Sequence, residues 1–366
     1  MTSRLPRLCL VLLAVLSFAP HGFSATLLVT SPHPGICVTS ADAKYDYRWG
    51  ALRPESGLFL YSPLGEPPLA PKIVAPQETT PGDLLRVEIS EPEDADSVVA
   101  EILDSKHHVL SRGIGFRPWE AARGLWVVLV GVTDDTSRGS YVLSLTIKAG
   151  PRSAVQLTSV SVNGRKFHFE RVAMTHSLEE LQTSEDPRKV TEARELIHVL
   201  LTPHPDAVFE TGTIRNPFPD ARRTSGYGDR RKYVFPDGTS DYSVHEGLDL
   251  AEPEGTPVAA SGRGRVVLAA QRIITGNTVV IEHLPGLFSL YFHLSEIDVK
   301  TGDVVAQGDV IGKVGQTGFA TGPHLHWQID ALGVPVDPDA LTAGPILDKN
   351  LESGEIDAGK AAKGGE

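Results

Sequence analysis

Along the chain, apolar and polar positions fall into three regimes. After the turn signal Pro81-Gly82-Asp83, Leu85, Val87 and Ile89 alternate with Arg86 and Glu88. That is the two-residue period of a half-buried strand. Residues 98–103, 125–132 and 141–147 are further apolar runs bounded by Gly, Asp and Ser. Short strands at this spacing predict a small β-sandwich over 76–150. The second regime, 151–214, reads as a connector with one helix. Asp186 caps it and Pro187 suits its first position. Val190, Ala193, Ile197, Leu200 and Leu201 fall on one face, and Pro203 and Pro205 stop it. From 215 to about 340 glycine is dense and short β-branched runs recur at 266–270, 278–282, 289–293, 310–314 and 324–330. An all-β domain with tight turns is expected there. Residues 25–75, rich in Pro and Gly, predict an extended, irregular segment, and the Gly/Ala/Glu/Lys-rich tail 341–366 predicts disorder.

Composition narrows the class. Of 366 residues 41% are hydrophobic and 22% charged, so the chain can bury a real core. A net charge of −12 is not a surface built to neutralise phosphates, which argues against nucleic acid as a partner. The local basic run of Arg222, Arg223, Arg230, Arg231 and Lys232 is read as a solvated loop. Arg4 and Arg7 precede an apolar stretch too short to span a bilayer comfortably, and Gly22-Phe23-Ser24 offers a cleavage site. A signal peptide over 1–24 is therefore expected, with export to the periplasm or cell envelope. Apart from it, no segment is apolar enough to cross a membrane. Cys9 lacks the small residues that precede a lipidated cysteine. Removal of the signal leaves Cys37, which by itself closes no internal disulfide.

Histidine spacing carries the chemistry. In His324-Leu325-His326 the two imidazoles share one face of a strand, with Leu325 turned into the core. In His245-Glu246-Gly247-Leu248-Asp249 the even spacing again puts His245 and Asp249 on one face of an extended segment, and Gly247 and Pro253 argue against a helix. Each pair alone is commonplace. Two His and one carboxylate together make the ligand set of a catalytic zinc, with a fourth position left for water. One of the strand histidines beyond those ligands would then be free for proton chemistry. His283, ahead of a Pro-Gly turn, reads as structural. So do His198 and His204, while the adjacent His107 and His108 point to opposite faces of a strand.

These residues sit in a longer pattern: Ser225-Gly226-Tyr227-Gly228-Asp229-Arg230, the His245 to Asp249 run, Gly255-Thr256-Pro257-Val258, Gly276-Asn277, Tyr291-Phe292-His293-Leu294-Ser295, and Gly318 through His326. In order and spacing they resemble the lysostaphin-type (LytM) zinc metallopeptidases, a family of peptidoglycan endopeptidases. The resemblance covers about a third of the chain, residues 215–338. It implies one zinc ion held by His245, Asp249 and His326, with His293 and His324 as catalytic histidines. It also implies a narrow groove floored by an antiparallel sheet, and hydrolysis of peptide cross-links by a water that the metal activates. Glu246 and Gln328 depart from the residues usual at their positions, which bears on substrate preference. The 76–150 region resembles the immunoglobulin-like modules often joined to bacterial envelope enzymes.

The fold expected is thus mainly β: an N-terminal immunoglobulin-like β-sandwich, a helical connector, and a C-terminal antiparallel metallopeptidase domain with a groove. Peptidoglycan peptides are the expected partner, with an envelope protein as a partner of the N-terminal β-domain. The alternative is a non-enzymatic activator of other cell-wall hydrolases built on the same fold. The connector upstream of Arg215 could also fill the groove and make an enzyme latent.

Overall fold

The computed structural model describes Leu69 and residues 71–90, 94–118 and 124–347, with four short strand segments before them. Apart from those segments, the expected signal (1–24), most of the 25–75 segment, both cysteines and the tail beyond 347 lie outside the described residues. The chain is mainly β, as expected. No described helix is long and apolar enough to cross a membrane.

The N-terminal strands form one hydrogen-bonded path: Gly57–Tyr61, Arg152–Val162, Gly139–Ala149, Ser97–Leu103, Val109–Phe116, Leu125–Gly131, Leu84–Ser90 and Lys72–Val74. Arg152–Val162, expected in the connector, pairs along its whole length with Gly139–Ala149 and so belongs to this sheet. Strand Leu125–Gly131 is buried at every position. Val128 and Val130 enter the core of their own sheet, while Val127 and Leu129 enter the core of the C-terminal sheet. That explains why this strand reads as a continuous apolar run rather than an alternation.

The remaining connector is also more ordered than one helix. Phe169–Ala173 is a strand, and helices His176–Thr183 and Pro187–Leu201 follow. The second helix begins as predicted, with Asp186 accepting from the Arg188 amide and Pro187 in the first turn. Its buried face is corrected. Leu196 and Leu200, four residues apart, pack on Leu268, Val280, Phe288 and Leu290, whereas Val190, Ile197 and Leu201 are all more than 50% exposed.

The C-terminal sheet is antiparallel, in the order Arg222–Ser225, Leu248–Ala251, Leu325–Ala331, Leu287–Leu294, Gly276–Leu284, Gly264–Arg272, Val304–Val305. One face carries Tyr291, Trp327, Leu325 and Ile329, all fully buried. Two three-stranded sheets flank it. In one of them Phe169–Ala173 runs parallel to Arg230–Val234, which pairs in turn with Ser240–Val244. The expected basic loop is therefore strand. Arg223 pairs with Asp339, Arg230 with Asp134, and Arg231 with both Glu170 and Asp249.

Candidate metal centre

Three elements bring the predicted ligands together. Asp249 and His326 are direct cross-strand partners in the antiparallel ladder. His245 sits just before Asp249's strand, in the segment that leaves the hairpin strand Ser240–Val244. The ligand atoms converge: His245 Nε2 lies 3.0 Å from Asp249 Oδ1 and 2.9 Å from His326 Nδ1, and His326 Nδ1 lies 3.0 Å from Asp249 Oδ1. All three residues are buried. Gly247 lets the chain pass, since a Cβ there would stand 2.5 Å from the Trp327 carbonyl and 2.9 Å from His326 Nε2.

Hydrogen bonds on the far sides of the rings decide which nitrogens are bare. His245 Nδ1 is 2.7 Å from the Gly226 carbonyl, an acceptor only, so that nitrogen carries the proton. The turn Ser225-Gly226-Tyr227-Gly228-Asp229 presents this carbonyl: Asp229 Oδ2 accepts from the Gly226 amide, the Asp229 carbonyl accepts from the His245 amide, and Gly228 holds φ +79°. On His326, Nε2 is 3.3 Å from Gln328 Oε1, which leaves Nδ1 as the lone pair. Two bare imidazole nitrogens and a carboxylate oxygen thus point at one another across about 3 Å. Such a donor set fits a cation. With bonds of about 2.0–2.1 Å, tetrahedral zinc ligands lie roughly 3.3 Å apart, a few tenths of an ångström from this spacing. Against the effect of burial, which would raise it, the two histidines hold the Asp249 carboxyl well below the usual range, so it is ionised.

His293 and His324 stand beside this cluster, their ring centroids 4.9 Å apart. Both give Nδ1 to a carbonyl, His293 to Thr317 O at 2.8 Å and His324 to Gly322 O at 2.8 Å. Each Nε2 is therefore free, and that of His324 lies 3.7 Å from Asp249 Oδ1. Burial, then the neighbouring His324 and His326, push the His293 pKa down to about 3. It is neutral at physiological pH. His293 reaches the site through a β-bulge. The pairing shifts between Asn277–Leu294 and Val279–Tyr291, and His293 takes φ +63°. A bulge re-aims the side chain that a regular strand would send to the other face.

The histidines read as structural lie apart from the cluster. His283 is fully buried, bonded to the Arg263 carbonyl at 2.8 Å and Ser289 Oγ at 2.7 Å. His204 Nδ1 is 2.6 Å from the buried Glu282 carboxylate, and His108 Nδ1 is 3.0 Å from Asp104. Sequence reading missed two residues. Gln328, linked only to substrate preference, is the partner of His326, and its place two residues on along the same strand face was the available signal. Arg231, taken for a solvated charge, donates to Asp249 Oδ2 at 2.5 Å.

Residues 243–338 match the model of Peptidase family M23. The chain therefore carries an M23-type (LytM-type) peptidase domain, and the cluster of His245, Asp249 and His326 lies inside it. Peptidoglycan DD-endopeptidase ShyB of Vibrio cholerae is 38% identical over 132 residues, 36% of this chain and 30% of that protein. DD-carboxypeptidase/endopeptidase Mpg of Neisseria meningitidis is 44% identical over 97 residues, 26% of this chain and 22% of that one. Each alignment thus spans under a third of the relative's length. A crystal structure of a putative peptidase M23 from Pseudomonas aeruginosa is 27% identical with a TM-score of 0.49, covering 72% of this chain and 94% of that one.

Proposed function

We propose that this protein is a zinc-dependent endopeptidase that hydrolyses peptide cross-links of bacterial peptidoglycan. The observation that carries the reading is the convergence of three lone-pair atoms, from His245, Asp249 and His326, with tautomers set by outer partners. Their place in an M23-type domain and the names of the aligned relatives support the substrate class. Those names speak of DD-endopeptidases, so direct cross-links between stem peptides are the proposed bond. Action on that substrate goes with the export expected from the N-terminal signal.

Zinc held by these three side chains would lower the pKa of a water to about 7 and polarise the scissile carbonyl. The protein's own part is proton handling. His293 and His324 place bare Nε2 atoms beside the cluster, in position to take the proton of the attacking water and, once protonated, to hydrogen-bond developing negative charge; burial makes His293 a weak base until that negative charge develops beside it. Thr317 and Gly322 hold each ring in the tautomer this needs.

The test is zinc content of the purified protein together with mass analysis of fragments released from isolated sacculi. One zinc per chain and cleaved stem-peptide links are expected. Stoichiometric zinc without any released fragment would turn the reading to the non-enzymatic activator.

A further inference from the structure

The metal-binding carboxylate has a second oxygen, and its partners come from outside the 243–338 peptidase match. Asp249 Oδ2 accepts from Arg231 Nη2 at 2.5 Å. The same guanidinium gives its Nε–H to Glu170 Oε1. Glu170 in turn accepts from Ser225 Oγ at 2.9 Å. Backbone pairing closes the figure: Glu170 faces Arg231 in the parallel ladder, and Ser225 faces Asp249 in the antiparallel one. Four side chains from two sheets thus form one ring, and every link in it is a hydrogen bond or a ladder pair.

The ring constrains chemistry as well as position. An aspartate binds a metal through one oxygen or two. Arg231 occupies Oδ2, which leaves Oδ1 to face His245 and His326. The guanidinium is planar and rigid in its donor directions, and Glu170 clamps it at Nε. The side chains of Arg231, Glu170 and Asp249 are 14%, 21% and 9% exposed, so water competes weakly for these bonds.

We infer that Arg231, held by Glu170 of the upstream strand Phe169–Ala173, is a positioning residue that fixes Asp249 as a single-oxygen metal ligand, so that the connector strand is a working part of the metal centre. The inference rests on the zinc reading above. Outer partners of this kind are worth about 10–100-fold in metal affinity when lost.

The experiment is competition for zinc between the full chain and a chromophoric chelator, with thermal unfolding of the metal-free proteins alongside. Arg231→Met keeps the bulk of the side chain and is expected to weaken zinc binding about 10–100-fold. Arg231→Lys keeps a cation without the fork and should recover part of that loss. Glu170→Gln leaves Arg231 and Asp249 in place but loosens the clamp, and should weaken zinc by a smaller factor, about three- to tenfold. Zinc affinity of Arg231→Met and Glu170→Gln equal to wild type would overturn the inference and leave the zinc reading intact. Losses that Lys does not reduce, and that run parallel to destabilised metal-free protein, would make Arg231 merely structural and overturn it too. A wild-type protein that takes up no zinc would sink the zinc reading itself, and this inference with it.

Discussion

Phe292 stacks on His326, with ring centroids 5.0 Å apart and planes 7° from parallel. The two residues are cross-strand partners, so the ladder itself delivers the aromatic face to the imidazole. Phe292 is buried and also touches the cluster under helix Pro187–Leu201. It closes one side of the His245–Asp249–His326 cluster with apolar surface. Phe292→Ala should destabilise the protein by about 3 kcal/mol, the usual cost of truncating a buried phenylalanine. It should also weaken zinc binding, because His326 loses the surface that sets its ring plane. Denaturant unfolding and chelator competition read the two effects separately.

Asp249→Ala, His245→Ala and His326→Ala each remove one of three converging ligands. Each should abolish sacculus hydrolysis and lower bound zinc far below one per chain, measured by atomic emission on the purified variant.

His293→Ala and His324→Ala behave differently. Neither residue is among the three converging atoms. Both variants should keep stoichiometric zinc while turnover falls at least about 100-fold, as for a lost acid–base group. Zinc loss in either would move that histidine into the ligand set.

Gly247→Ala places a methyl group against the Trp327 carbonyl and the His326 ring. The backbone atom cannot give way cheaply, so the Asp249 strand must shift relative to His326. Zinc content and activity should fall together, while the same change at a glycine with open space around it and no left-handed backbone, Gly344→Ala, should leave both unchanged.

Stability at acid pH should report His283. Burial pushes its pKa from 6.5 down to about 4, so the folded state keeps it neutral. The group's contribution is full above pH 6.5 and disappears as pH falls through 4; at about 1.4 kcal/mol per unit it amounts to about 3 kcal/mol. Asp330 runs the other way. Burial raises its carboxyl from 3.8 to about 7, so it favours the fold at low pH and loses that contribution as pH rises towards 7. Urea unfolding between pH 4 and 7 should therefore show a steeper acid loss in Asp330→Asn and a flatter one in His283→Gln. Unchanged slopes in both would rule out these two groups as the source of the pH dependence.

The strands of the C-terminal sheet were legible because their apolar positions repeat locally. The expected run at 278–282 lies inside Gly276–Leu284, and 289–293 inside Leu287–Leu294. Helix Pro187–Leu201 was legible from its cap, but its buried face was not. Periodicity marks apolar positions, and only the neighbouring sheet decides that Leu196 and Leu200 are covered while Ile197 and Leu201 are left to solvent. The basic run misled for the same reason: the carboxylates that pair with Arg223, Arg230 and Arg231 are distant in sequence.

For the site itself, the sequence by itself determined one short-range pair. A spacing of two residues on extended backbone aims His324 with His326; His245 and Asp249, expected on one extended run, pair instead across a bend at Gly247 between Ser240–Val244 and Leu248–Ala251. Tertiary structure alone decided that the pairs meet, since Asp249 and His326 are 77 residues apart and join only through strand register. It also decided where His293 points. Plain alternation would turn it away from Phe292 and His326, and a bulge with a left-handed backbone brings it back. The bond from Glu170 to Arg231, 61 residues apart, has the same origin. A local pattern fixes which way a side chain faces, and only packing decides what it meets there.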